Sequence, residues 1–330
     1  MMKTRMIMSR TPLRISFTGG GTDIPEYYRR GKKGAVLSSS INKYIYVAVN
    51  KKFDHRIRVS YSTTEIVDTV DEIQHPSVRE ALKLLDIDGG IEIVSISDIP
   101  SRGTGLGSSS TFLVGLLNAL HAYRGEHASP GELAREAVQI EREILKEPGG
   151  KQDQYMAAYG GVQLMEFNPD ESVSVNHVIM NENTRAAIES WLLLLYTGKE
   201  RSSTDIHKKQ SSNVENTEKM YDRMREITYE ALKKIGQSDM VGLGECLHEN
   251  WMLKKNLADG ISSTWIDSIY ERAREMGAIG GKIIGAGGGG FLLLLAPPET
   301  HPEITSEFPE LRHEPFRIDY SGSKIIFVGD

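Results

Sequence analysis

The sequence predicts an α+β protein built from two domains. Strand patterns dominate from residue 5 to about residue 60, whereas long helical patterns alternate with short apolar runs after about residue 185. Between these regions, a glycine- and serine-rich turn at residues 100–112 follows a strand pattern and precedes a helix pattern. Because 330 residues are enough for two domains, we place one domain at residues 1–185 and the other at 186–330.

The elements follow from the spacing of apolar residues along the chain. Apolar runs of strand type, alternating or continuous, occur at residues 36–49, 91–96, 162–167, 173–179, 191–196, 282–285, 291–296, 313–320 and 324–328. Helical spacing occurs at residues 76–86, 113–123, 210–235, 238–257 and 263–276. Ser129 and Glu132 have the spacing of a capping box around Pro130, so another helix is predicted to begin there.

Composition excludes several classes of protein. A hydrophobic content of 39% and a net charge of −6 with mixed signs are typical of a soluble globular protein and do not suggest a nucleic-acid or membrane partner. The single cysteine, Cys246, excludes an intramolecular disulfide framework and is predicted to be a structural thiol. No apolar run is long enough to span a bilayer, and the N-terminus lacks the apolar core of a signal peptide. We therefore expect a cytoplasmic protein, as a monomer or homodimer.

The segment Pro100–Phe112 is predicted to bind an anion. Its glycines allow close approach of the backbone, and the helix that follows directs free N–H groups and its positive dipole end toward a ligand. The hydroxyls of Ser108–Ser110 add donors for phosphate oxygens and potential ligands for a hard cation. The lysine of the usual phosphate loop is absent. The alternative is a serine-rich helix cap after a flexible loop.

Four further polar residues are candidates for chemistry. Glu141 borders the buried side of its helix, so its carboxylate needs a partner, and Arg14 lies within an apolar strand, so its guanidinium needs an anionic partner. Asp23 follows three glycines, where an Asx turn is the alternative to a binding role. Asp153 lies beside Lys151, and a surface ion pair is the alternative there.

A third glycine-rich cluster lies at residues 282–291. It contains Gly-x-Gly-x-x-Gly, as dinucleotide-binding and protein-kinase loops do. However, a strand pattern rather than a helix pattern follows it, and the chain has no His-Arg-Asp or Asp-Phe-Gly motif. Both of those functions are therefore excluded, and a tight turn between two strands remains an alternative.

Taken together, the motifs at residues 10–23, 105–110 and 285–290 resemble the three ordered motifs of the GHMP kinases, a superfamily that includes galactokinase, homoserine kinase and mevalonate kinase. The resemblance implies an N-terminal domain of the ribosomal-protein-S5 domain 2 type and a ferredoxin-like C-terminal domain, with ATP and substrate in the cleft between them. Further segments, including residues 71–76, 149–154 and 247–251, resemble the D-glycero-D-manno-heptose 7-phosphate kinases.

The resemblance also implies roles for individual residues. The ATP phosphates would be bound by Gly103, Thr104, Gly105, Leu106, Gly107, Ser108, Ser109 and Ser110. Mg²⁺ would be held by Ser109 and Glu141, which agrees with the preference of Mg²⁺ for few carboxylates together with phosphate oxygens. Asp153 would orient and deprotonate the acceptor hydroxyl, and Arg14 would stabilise charge on the transferred phosphoryl group. The acceptor would be bound by Asp23, Gly20, Gly21, Gly288 and Gly289.

The implied reaction transfers phosphate from MgATP to O1 of D-glycero-D-manno-heptose 7-phosphate, giving the 1,7-bisphosphate for nucleotide-activated heptose and surface polysaccharide. A 7-phosphate requires cationic contacts, for which the candidates are Lys43, Lys199, Arg201 and Lys254. One alternative is a related kinase acting on fucose or galactose. Another is a non-catalytic regulator that binds sugar and nucleotide, against which the presence of both Glu141 and Asp153 argues.

Overall fold

The computed structural model describes residues 6–100, 103–199 and 203–329. Within these residues the strands form a sheet of eight and a sheet of four. The strands are β1 (Met6–Thr18), β2 (Gly34–Lys51), β3 (Ile57–Ser60), β4 (Thr64–Val67), β5 (Ile91–Ser97), β6 (Val162–Phe167), β7 (Val173–His177), β8 (Leu192–Tyr196), β9 (Gly280–Ile283), β10 (Phe291–Leu295), β11 (Arg312–His313) and β12 (Lys324–Val328). This content agrees with the predicted α+β class.

The helices of the described residues are most numerous in the second half of the chain. The α-helices are α1 (Pro25–Tyr28), α2 (Pro76–Leu84), α3 (Ser108–Arg124), α4 (Pro130–Val138), α5 (Gln152–Tyr159), α6 (Glu182–Trp191), α7 (Ser203–Ser212), α8 (Val214–Gly236), α9 (Met240–Lys254), α10 (Thr264–Glu275) and α11 (His301–Glu307). Short 3₁₀ helices lie at Val70–Glu72 and Pro298–Thr300, and a π-helical turn at Gln139–Ile144 follows α4. The predicted capping box of Ser129 and Glu132 is confirmed at the start of α4.

The long strand β2 organises the larger sheet. It pairs with β1 along most of its length, with β6 through its first half and with β5 through its second half. The C-terminal strand β12 returns to this sheet and pairs antiparallel with β1. The larger sheet therefore contains both ends of the described chain, while the division at residues 185 and 186 stays a prediction.

The smaller sheet has the strand order β11-β8-β10-β9. Alternate residues of β8 belong to different cores, with Leu192 and Leu194 in the core shared with the larger sheet and Leu193 and Leu195 in a second core. Since successive side chains of a strand point to opposite faces, a strand covered on both faces has a continuous apolar run. The sequence Leu192–Leu195 has this pattern.

Several parts of the chain differ from the prediction, including helices α6 and α11, which no identified pattern covers. The predicted strand at residues 313–320 is wrong, since only Arg312–His313 is a strand and Ile318 forms an isolated bridge. Pro315 has no N–H for a ladder, and the N–H groups of residues 317 and 318 donate to side chains of Asn42 and Glu189 instead. Helix α5, for which no pattern was identified, begins directly after the glycines at 149–150.

Candidate active site

The candidate active site is a cleft of about 730 Å³. Its walls come from the end of β1, the turn before α3, the π-helical turn, the start of α5, helix α7, the end of α9 and the glycine loop between β9 and β10. These segments are far apart in sequence, so the cleft exists only in the folded chain.

The glycine-rich turn Gly103–Gly107, named the phosphate loop here for its predicted role, leads into helix α3. Gly107 is the N-cap of α3 and has a left-handed backbone with φ of 77°, and no side chain caps the first turn. Among the described residues, no side chain accepts a hydrogen bond from the N–H groups of the first turn, so a ligand anion can take this position. Thr104, Ser108, Ser109 and Ser110 line the same cleft. The geometry is the one that the sequence predicts for an anion-binding turn.

The glycine loop at residues 285–290 packs directly on the phosphate loop. A Cβ atom on Gly105 would lie 2.3 Å from the carbonyl oxygen of Ile284. The N–H of Phe291 donates to the carbonyl oxygen of Thr104 at 3.2 Å. The loop does connect two antiparallel strands, β9 and β10. A Cβ on Gly290 would lie 2.4 Å from the carbonyl oxygen of Thr104, so the glycines of this loop are also needed for close contact between two backbones.

Arg14 and Asp153 form the central ion pair of the cleft. Arg14 is 4% exposed, and its Nε and Nη2 donate to the two carboxylate oxygens of Asp153, each at 2.8 Å. Its Nη1 donates to the carbonyl of Gly105, and its own N–H donates to the carbonyl of Leu106 at 3.1 Å. The partner that Arg14 was expected to need is thus Asp153, and the pair is fixed to the phosphate loop.

The local alternative for Asp153 is not observed. Lys151 forms its ion pair with Glu171 rather than with Asp153. The side chain of Asp153 remains 23% exposed and lines the cleft. A Cβ on Gly107 would lie 3.2 Å from Asp153 Oδ2, so the carboxylate lies against the helix N-terminus that would receive phosphate.

Asp23 is buried and fixed by several donors. It is 2% exposed, and its carboxylate accepts hydrogen bonds from the N–H of Gly21 at 3.0 Å and from both the N–H and Nε2 of Gln152 at 3.1 Å. A Cβ on Gly150 would lie 1.8 Å from Asp23 Oδ2. A glycine at 150 is therefore required for Asp23 to reach the cleft wall, where it lies at the start of α5.

Glu141 lies in the π-helical turn, where the wider backbone brings a carboxylate to the phosphate loop. It is 1% exposed and accepts hydrogen bonds from Ser109 Oγ at 3.1 Å, from Ser110 Oγ at 2.7 Å and from Gln154. Among the described residues, no basic side chain lies within ion-pair distance of this carboxylate. Burial and the neighbouring Glu141 raise the pKa of Glu147.

These residues fit a divalent cation. A buried carboxylate with hydroxyls and no cationic partner matches the hard oxygen ligands of Mg²⁺. Over residues 6–100, 103–199 and 203–329, no group of three or more His, Cys, Asp or Glu side chains is placed to hold a metal. Mg²⁺ at Ser109 and Glu141 would therefore need phosphate oxygens and water as its remaining ligands, which is its usual arrangement in kinases.

The cleft also contains cationic and neutral polar side chains that the motifs did not include. Lys254 lines the cleft, is 4% exposed and donates to the carbonyl of Gly285 at 2.7 Å. Burial lowers the pKa of Lys254 to about 8. The charge of Arg14 also lowers this pKa, whereas the charges of Asp23 and Asp153 raise it. Lys282, the first residue of the third glycine-rich cluster, does not line the cleft; it is fully buried and donates to Oγ of Ser16, which does line it, at 2.9 Å. Burial, reinforced by Lys254 and Arg14, lowers the pKa of Lys282 far below its usual value.

Helix α7 forms one wall of the cleft, with His207 and Gln210 facing it. Burial lowers the pKa of His207, and the charges of Lys254 and Arg142 add to this effect. A His and a Gln three residues apart in a helical segment have the spacing of one helix face. This was the only sequence signal for these residues, and it is a weak one.

Some of the other predicted site residues line the cleft and others do not. Gly21, Gly287 and Gly289 line the cleft, whereas the N–H of Gly288 donates to the carbonyl of Ile261 at 2.8 Å. Leu106 belongs to the hydrophobic core. Gly20 lies beside the cleft, since a Cβ there would be 3.7 Å from Lys254 Nζ.

Of the three candidate phosphate-binding cations that the structure describes, one lines the cleft. Lys43 pairs with Glu314 outside it, and exposed Lys199 lies over the ring of Trp265 at 3.6 Å. Arg201 lies outside the described residues. Lys254 is the candidate that the structure brings to the site.

Two further expectations concern the rest of the molecule. Cys246 is buried, and burial raises the pKa of its thiol to about 11, which agrees with a structural role. Over the described parts of the chain, no helix combines the length and apolar character required to span a bilayer.

Comparisons with known proteins identify the family. The model of the GHMP kinases N terminal domain matches residues 66–161, and that of the GHMP kinases C terminal domain matches residues 228–310. A D-glycero-alpha-D-manno-heptose 7-phosphate kinase of Campylobacter jejuni is 32% identical over 321 residues, which covers 90% of this chain and 91% of that protein. The chain belongs to the GHMP kinase family. It is a kinase that uses ATP as phosphate donor and transfers the phosphoryl group to a sugar hydroxyl.

Other relatives place this GHMP kinase among sugar kinases. An L-fucokinase/L-fucose-1-P guanylyltransferase of Bacteroides fragilis is 27% identical over 88% of this chain, and the match covers 35% of that longer protein. A crystal structure of a D-glycero-D-manno-heptose 1-phosphate kinase from Bacteroides thetaiotaomicron superposes with a TM-score of 0.82, covering 98% of this chain and all of that one. At 23% identity this likeness establishes the fold, and it confirms the GHMP kinase fold that the motifs predict.

Proposed function

We propose that this GHMP kinase transfers the γ-phosphoryl group of ATP to O1 of D-glycero-D-manno-heptose 7-phosphate, giving the 1,7-bisphosphate. The observation that carries the site chemistry is the Arg14–Asp153 pair against the N-terminus of α3, where phosphate donor and acceptor hydroxyl would meet. The choice of acceptor is supported by the Campylobacter jejuni relative, whose similarity extends over both domains. The product would supply nucleotide-activated heptose for surface polysaccharide.

In the proposed reaction, the acceptor hydroxyl donates a hydrogen bond to Asp153 and attacks the γ-phosphorus in line with the bond to ADP. The new P–O1 bond forms as the bond to the ADP oxygen breaks, and the hydroxyl proton passes to Asp153. Arg14 fixes this carboxylate through two hydrogen bonds and places its positive charge beside the transferred group. Phosphoryl transfer depends mainly on such positioning and electrostatics.

Other residues of the cleft would bind Mg²⁺ and the acceptor sugar. Ser109 and Glu141 would hold Mg²⁺, which neutralises charge on the ATP phosphates when bound. Asp23 would accept hydrogen bonds from hydroxyls of the acceptor sugar, because its carboxylate is buried, fixed and at the cleft wall. Gly21 and Gly289, which line the cleft, would allow the sugar to approach the backbone.

A neutral sugar such as fucose is the second candidate acceptor, favoured by the fucokinase relative from Bacteroides fragilis. An ADP-release assay with MgATP would compare D-glycero-D-manno-heptose 7-phosphate, unphosphorylated heptose, fucose, galactose and mevalonate. We expect preference for the 7-phosphate, with the product phosphorylated at O1 by ³¹P NMR. Preference for a neutral sugar would retain the kinase mechanism and reject the heptose phosphate. No turnover of any acceptor would support the non-catalytic regulator.

A further inference from the structure

Lys254 carries a buried positive charge that the described residues leave without a counter-ion. Its side chain is at the cleft wall with 4% exposure, and among the described residues its only hydrogen-bond acceptor is the neutral carbonyl of Gly285. No carboxylate of the described residues lies within ion-pair distance of Nζ. An ammonium group has three N–H donors, so two remain for a ligand. Burying such a charge without a partner is costly, and a bound anion would offset that cost.

Arg142 is a second cleft cation that binds only to backbone carbonyls. Its Nε donates to the carbonyl of Gly150 at 2.9 Å, and its Nη1 donates to that of Glu147 at 3.1 Å. No side-chain carboxylate in the described parts of the chain forms an ion pair with it. A Cβ on Gly149 would lie 3.5 Å from Arg142 Nη2 and 3.6 Å from His207 Cδ2, so Arg142 and His207 both border Gly149.

Helix α7 adds neutral polar groups to the same region. Gln210 is 2% exposed and lines the cleft, and its Nε2 has no hydrogen-bond partner in the described structure. The Nδ1 atom of His207 is buried and has no partner either. A buried polar atom without a partner costs free energy comparable to a lost hydrogen bond, so a ligand or an ordered water is expected to bind these two atoms.

Two kinds of polar side chain line the cleft. Asp23 and Asp153 already accept hydrogen bonds from Gln152 and Arg14, whereas Lys254, Arg142 and Gln210 supply donors that have no carboxylate partner among the described residues. We propose that Lys254 and Arg142, together with His207 and Gln210 of helix α7, bind the phosphate group that the acceptor already has. This inference rests on the proposed function and locates the residues that select a sugar phosphate over a neutral sugar.

The test is a comparison of heptose 7-phosphate with unphosphorylated heptose at saturating MgATP. Lys254→Met is expected to reduce kcat/KM at least 30-fold more for the phosphorylated acceptor than for the unphosphorylated one. Gln210→Leu removes one neutral donor and is expected to raise KM for the phosphorylated acceptor about tenfold, with kcat within threefold. Lys255→Met is the matched control, because the neighbouring Lys255 pairs with Asp267 at 3.3 Å and does not line the cleft.

Several results would overturn the inference. Equal losses with both acceptors would show that Lys254 acts on the transferred phosphoryl group or on the fold rather than on the second phosphate. Unchanged selectivity in Gln210→Leu would remove helix α7 from the subsite. If Lys254→Met does not fold, the Gln210→Leu result and inhibition of the wild type by inorganic phosphate, competitive with heptose at saturating MgATP, decide the question. If the wild type itself prefers a neutral sugar, the proposed function fails first, and the inference fails with it.

Discussion

Replacing Asp153 by asparagine tests the centre of the proposed mechanism. The substitution keeps the size of the side chain and one oxygen acceptor, but it removes the negative charge that pairs with Arg14 and accepts the acceptor proton. Loss of a general base typically reduces kcat by about 10²–10⁴. We therefore expect a reduction of at least 100-fold in kcat, with KM for ATP changed by less than threefold.

The stability cost of this substitution can be estimated from the geometry. Breaking a fully buried ion pair costs about 3–5 kcal/mol. The side chain of Asp153 is 23% exposed, and asparagine retains one of the two acceptors that Arg14 contacts. We therefore expect a smaller loss of unfolding free energy, about 1–2 kcal/mol, which leaves the variant folded at 25 °C.

The assay would measure ADP release, ATP binding by calorimetry and unfolding in urea for the wild type and Asp153→Asn. The conservative control is Asp88→Asn, which makes the same chemical change at an exposed position away from the cleft. A kcat within tenfold of the wild type would refute the role of Asp153 as base. A loss of ATP binding equal to the loss of kcat would instead assign the carboxylate to organisation of the phosphate loop.

Three further predictions address the metal, the phosphate loop and the acceptor phosphate. Glu141→Gln should raise the Mg²⁺ concentration for half-maximal activity at least tenfold, and an unchanged Mg²⁺ titration would count against this ligand. Gly107→Ala should lower the free energy of unfolding by about 1–2 kcal/mol, because φ of Gly107 is 77°. It should also reduce kcat, because the new Cβ would lie 3.2 Å from Asp153. The control Gly31→Ala, with φ of 85° and no neighbour within 4 Å, should leave kcat unchanged. Because the pKa of Lys254 is lowered to about 8, its charge is lost as pH rises through 8, so KM for the phosphorylated acceptor should rise up to tenfold per pH unit above 8. If the ratio of the KM values for phosphorylated and unphosphorylated heptose does not change with pH, the prediction for Lys254 is contradicted.

Local signals predicted the parts of the site that are continuous in sequence. The phosphate loop before α3 and the capping box of α4 depend on residues within one or two turns, so spacing is enough to identify them. The need of Arg14 for an anionic partner also followed from its apolar strand. Its partner, Asp153, did not follow from spacing, because 139 residues separate the two and the neighbouring Lys151 is directed to Glu171 instead.

The parts that sequence reasoning missed arise where separate segments meet. His207 and Gln210 carry no motif, and their significance comes from being buried without partners beside two unpaired cations. The π-helical turn that directs Glu141 to Ser110 is likewise invisible in a pattern of period 3.6, which predicts only that Glu141 borders the buried side. Such residues can be recognised only once the fold has placed them together.

The glycine loop at residues 285–290 makes contacts that differ from those that the resemblance implies. By resemblance, these glycines would allow the C-terminal domain to approach phosphates and sugar. In the structure, a Cβ on Gly285 would lie 2.7 Å from the Cα of Gly105, and one on Gly290 would lie 2.4 Å from the carbonyl oxygen of Thr104. The loop thus contacts the phosphate loop itself, while Gly285 also accepts the hydrogen bond of Lys254. One glycine segment therefore contacts both the proposed ATP-binding loop and Lys254, the residue proposed to bind the acceptor phosphate.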